Sequence, residues 1–82
     1  MKKSKITKQT VIAYFKSDRY VEDKTSKVSS RYTCLVFPGA INKIYVGKKG
    51  AIFYGKTFLE AKNDTDFYKE DILDWMAENE NY

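Results

Sequence analysis

Histidine is missing from this 82-residue chain. With it go Ser-His-Asp and Cys-His catalysis and every His-bound metal. Cysteine occurs once, as Cys34 within YTCLVF, which excludes an internal disulfide, a zinc cluster and a CxxC redox pair. No basic side chain flanks Cys34, so it reads as a small buried hydrophobe rather than a reactive thiolate. No apolar run nears the ~20 residues of a membrane span. The opening MKKSKITKQT is basic but lacks the apolar stretch and small-residue cleavage site of a secretory leader. The expectation is a cytoplasmic protein with no membrane contact. Acids remain available in ED (22–23), NDTD (63–66) and KEDILD (69–74), yet nothing supplies the buried cleft that splits the pKa values of paired carboxylates. They read as a turn, a helix cap and a solvated helix face. No enzyme, metal or cofactor is expected.

Arginine is also scarce, at 2 residues against 13 lysines. Lysine is a point charge suited to backbone phosphate, whereas arginine reads base edges with two parallel bonds. Charge is divided along the chain. Residues 1–62 hold 14 basic and four acidic residues, net +10, and residues 63–82 hold one lysine and seven acids, net −6. Such a molecule can attract polyanions on one side and repel them on the other. Part of the Lys, Asn, Ile, Tyr and Phe abundance also fits AT-rich coding, as in a low-GC bacterium, its phage or a mobile element.

The polar, cationic residues 1–8 read as a flexible basic arm. A single α+β domain follows over 9–79, and 80–82 form a frayed tail. TVIAYFK (10–16), rich in β-branched and aromatic residues, predicts a first strand. SRYTCLVF (30–37) predicts a second, ended by Pro38-Gly39. NKIYVGKKGAIFYGK (42–56) predicts a hairpin with strands three and four. Its loop is Lys48-Lys49-Gly50 with Gly50 in the left-handed region. Gly47 then faces Ala51, Val46 faces Ile52, Tyr45 faces Phe53 and Ile44 faces Tyr54. A two-residue Lys-Lys loop is the less favourable register, since it places positive φ on two lysines. Residues 56–62 are compatible with strand or helix. Asp64-Thr65-Asp66 predicts a helix start, and Tyr68, Ile72, Trp75 and Met76 recur at helical spacing. The predicted fold is a four-stranded antiparallel sheet, β-β-β-β-α, with one C-terminal amphipathic helix on one face.

One helix leaves the other sheet face to solvent, to a partner or to the 56–62 segment, and Tyr45 and Phe53, with some of Tyr14, Tyr20 and Tyr32, are candidates to line it. Aromatic rings on a sheet among lysines are what single-strand nucleic-acid readers use. The candidate contacts are Lys48 and Lys49 at a protruding tip, Lys43 and Lys56 on the arms, Tyr45 and Phe53 on the sheet, and Lys2, Lys3 and Lys5, with Lys8, on the arm. Each has an ordinary structural alternative: a solvated turn, a core ring or a solubilising tail. GKKG is not a P-loop, lacking its spacing and following helix. The leading expectation is a non-enzymatic nucleic-acid-binding protein with little sequence specificity. The alternatives are a protein-interaction module, such as a phage or mobile-element inhibitor of a host factor, and sequestration of a phosphorylated nucleotide.

Overall fold

The computed structural model describes residues 6–25 and 31–79. Seven main elements follow in order: α1 (Lys8–Ser17), β1 (Val21–Glu22), β2 (Thr33–Val36), β3 (Lys43–Val46), β4 (Ile52–Gly55), β5 (Lys62–Asn63) and α2 (Thr65–Glu78). The strands form one antiparallel meander in chain order. The fold is thus α+β as expected, but with five strands and two helices among the described residues.

The first expected strand is a helix. Thr7 caps α1: its hydroxyl accepts the Thr10 amide, while the Thr10 hydroxyl accepts the Thr7 amide. This reciprocal cap satisfies donors that the first turn cannot. Val11, Tyr14 and Phe15 then fall on one face at helical spacing, and Val11 and Phe15 are buried. The β-branched character of Thr10, Val11 and Ile12 pointed to a strand, and tertiary burial of one helical stripe overrode it. Arg19, at φ 75°, ends the helix. Its amide reaches the Lys16 carbonyl, the Tyr20 amide reaches that of Phe15, and the two rings touch at 5.0 Å. These are the paired bonds and apolar contact of a Schellman ending. Ile6, Thr7 and Lys8, read from sequence as the end of a loose arm, therefore belong to the fold.

The hairpin register is as expected, with Val46 opposite Ile52, Tyr45 opposite Phe53 and Ile44 opposite Tyr54. The Gly47 amide also donates to the Ala51 carbonyl. Lys48–Gly50 form a single 3-10 turn in which both Lys49 (φ 63°) and Gly50 (φ 84°) are left-handed. Gly50 is buried against α1, and a side chain there would meet Ile6, Val11 and the Thr7 carbonyl at 3.0–3.2 Å. The tip does not protrude; it is tucked against the start of α1.

Both helices lie on one sheet face. Val11 and Phe15 of α1 and Ile72 and Met76 of α2 close over Leu35, Ile44, Val46 and Ile52. Phe15 sits edge-on to Tyr14, Tyr20 and Tyr68, and Tyr14 meets Trp75 across the helix pair. The opposite face is covered by the segment after β4 rather than left to solvent or a partner. Residues 56–61 fold back in turns, and Phe58 packs edge-on against Tyr45 and Tyr32, which in turn meets Phe53. Gly55 permits this return, because a Cβ there would lie 2.7 Å from the Ala61 Cα and 3.0 Å from its nitrogen. Gly55→Ala should therefore cost about 1–3 kcal/mol, read as a lowered urea midpoint with an unchanged m-value.

Burial holds the tyrosines of the helix-side core in their neutral form. It raises the pKa of Tyr14, Tyr20 and Tyr68, neighbouring phenols and acids adding to the effect, and Tyr68 is pushed up to about 12. The unfolded chain ionises near the ordinary value of ~10. The stabilisation is thus fully present below pH ~10 and is lost as pH rises through the folded values. Urea midpoints should fall across that alkaline window as tyrosinate absorbance rises, and both should stay flat below it.

Candidate functional site

Three cations from separate parts of the chain meet at one cleft. Lys8 comes from the first turn of α1, Arg31 from the approach to β2, and Lys48 from the hairpin turn. Together they line a surface cleft of about 470 Å³, in which no acid is found among the described residues. The Lys8 ammonium donates to the Arg31 carbonyl at 3.2 Å, which ties the two segments together. Lys8 is half-buried, while Arg31 and Lys48 are exposed. The first turn of α1 carries no acidic residue, so the positive end of its dipole adds to the field of the three side chains.

The other candidate residues separate. Lys49, beside Lys48 in sequence, lines a different and smaller pocket of about 200 Å³ with Ile6, Ile52, Asp66 and Lys69 at the start of α2. A carboxylate therefore shares its surroundings. Lys43 is paired with Asp23 at 3.2 Å. It stands at the far end of β3, about 17 Å of extended chain from Lys48 at the tip, and Lys56 is exposed beyond the end of β4. Lys43 and Lys56 thus stand at the opposite end of the hairpin from Lys48 and Lys49. Tyr45 is 1 % exposed, so its proposed stacking on a base is corrected: the ring is core, with its hydroxyl held above its ordinary pKa by burial and by Cys34. Phe53 is half-buried against Tyr32. Lys2, Lys3 and Lys5 lie outside the described residues.

Sequence reading did not join Arg31 to the site. Nothing local marks it, since only the closing of the sheet brings residue 31 beside residues 8 and 48. Lys8 was legible in principle through the Thr7-x-x-Thr10 cap that places it at a helix start.

Among the described residues no three acidic or cysteine side chains gather as a metal ion would need, and no helix is long and apolar enough to cross a membrane. Anionic side chains concentrate on α2, where Asp66, Glu70, Asp71, Asp74 and Glu78 are exposed. Phe67, 73 % exposed, stands among them. The chain matches no known family, and no curated protein or solved structure is similar to it.

Proposed function

We propose that the protein binds nucleic acid through its phosphate backbone, with little sequence preference, at the cleft of Lys8, Arg31 and Lys48. The observation that carries this reading is the meeting of three cations, from three elements, on a concave surface lined by no described acid. Lysine supplies charge without orientation, and the arginine adds a third positive charge. Such a set favours a chain of phosphates over any particular base. The acidic face of α2 limits how much of the surface a polyanion can cover and so orients it at the cleft. Anisotropy of a labelled mixed-sequence oligonucleotide at low ionic strength tests the reading. Binding that weakens steeply with added salt is expected; an unchanged anisotropy at saturating protein would overturn it.

A second reading, capture of a protein partner, is favoured by Phe67, a large ring left exposed among the acids of α2. It would be supported if one protein were retained from nuclease-treated lysate, if Phe67→Ser abolished that retention, and if oligonucleotides failed to bind.

A further inference from the structure

We infer that the cleft takes a double-stranded nucleic acid, recognised by charge alone, rather than an unstacked single strand; this rests on the nucleic-acid reading just given. Single-strand readers need rings set beside their cations, with a free face on which a base can stack. Here the rings and the cations are on different surfaces. Tyr14, Phe15, Tyr20, Tyr54, Tyr68 and Trp75 belong to or pack against the core beneath the helices. Tyr45 and Phe53 are covered from the other side.

Tyr32, the ring next to Arg31 in sequence, is turned away from the cleft. It meets Phe53 and Phe58 on the far face, and its Cε2 lies 2.8 Å from where a side chain on Gly47 would begin. No aromatic residue lines the cleft among the described residues. The one strongly exposed described ring, Phe67, is on the acidic helix, where phosphate is repelled. Binding by charge alone gains most from the ligand with the greatest charge density, and a duplex carries twice the phosphates of one strand per length of axis.

The test compares a DNA duplex, an RNA duplex and one of their separated strands, equal in length, in direct competition for the full chain, with tryptophan and tyrosine emission followed. Both duplexes should displace the single strand several-fold more effectively. Three neutralised phosphates give a log–log salt slope of about −2.7 for DNA, and emission should stay unquenched. A single strand that binds as well as a duplex or better, or that quenches emission on binding, would overturn the inference while leaving the nucleic-acid reading intact. Failure of all three probes to bind would overturn both.

Discussion

Lys8→Glu combined with Lys48→Glu should abolish polyanion binding and cost the fold no more than about 1 kcal/mol, from the lost bond between Lys8 and the Arg31 carbonyl. Each substitution removes a cation from the cleft and puts an anion in its place. A charge-assisted bond contributes about 1.5–3 kcal/mol, so removing two weakens binding by at least ~100-fold. The salt slope should shallow by about one for each phosphate that is no longer neutralised. Beyond that bond, stability should hold for reasons specific to each position. Lys48 is exposed on a turn. Glutamate at residue 8 gives the first turn of α1 the acid it lacks, and the helix dipole favours it there. Lys49→Glu is the internal control. It has the same chemistry one residue away, but it faces the pocket shared with Asp66, and it should change affinity far less than Lys48→Glu. Equal effects at 48 and 49 would mean that bulk charge, rather than the cleft, governs binding.

Phe15→Ala should be the most destabilising single change. The ring is 2 % exposed and lies edge-on to Tyr14, Tyr20 and Tyr68. It also supplies the apolar contact that closes α1. Truncation of such a residue costs about 3–5 kcal/mol. A domain of this size has only about 4–12 kcal/mol in total, so the melting temperature should fall by roughly 15 °C or more. Trp75, which the sequence marks as the natural core anchor of α2, is only half-buried. Trp75→Ala should cost less than Phe15→Ala. Thermal denaturation of the two variants side by side decides the order, and a larger loss at Trp75 would show that the centre of the core has been misplaced.

The contrast between Phe15 and Trp75 shows where sequence reading succeeds. The hairpin of β3 and β4 was legible residue by residue, because Gly47 and Gly50 bracket the turn and alternation on both arms admits one sensible register. The C-terminal helix was legible from the spacing of Tyr68, Ile72 and Met76. α1 was not, because its β-branched residues carry a strand-like propensity while its helical evidence lies in a cap and a burial stripe that acquire meaning only once a second helix packs beside it. Whether the segment after β4 covers the second sheet face was not legible, for a similar reason. Phe58 sits in a turn-rich segment with no periodicity of its own, and only the close approach of Gly55 to Ala61 folds it back over Tyr45.

The candidate site divides the same way. A net excess of cations before residue 63 was plain in the composition, and Lys48 is exposed, although its turn is tucked against α1 rather than protruding. Which lysines act together is a tertiary matter. Lys43 is engaged by Asp23, Lys49 shares a pocket with Asp66, and Lys48 instead meets Lys8 and Arg31. Three residues of like charge, separated by 23 and 17 positions in the chain, leave no local pattern to read.

Backbone amide shifts of the isotopically labelled protein, followed through titration with a short duplex oligonucleotide, test the central claim most directly. The perturbed amides should cluster at Lys8, Gln9, Arg31 and Lys48, with residues 66–78 of α2 unmoved. Perturbations confined to α2, or to the far end of the sheet around Lys43 and Lys56, would contradict that claim.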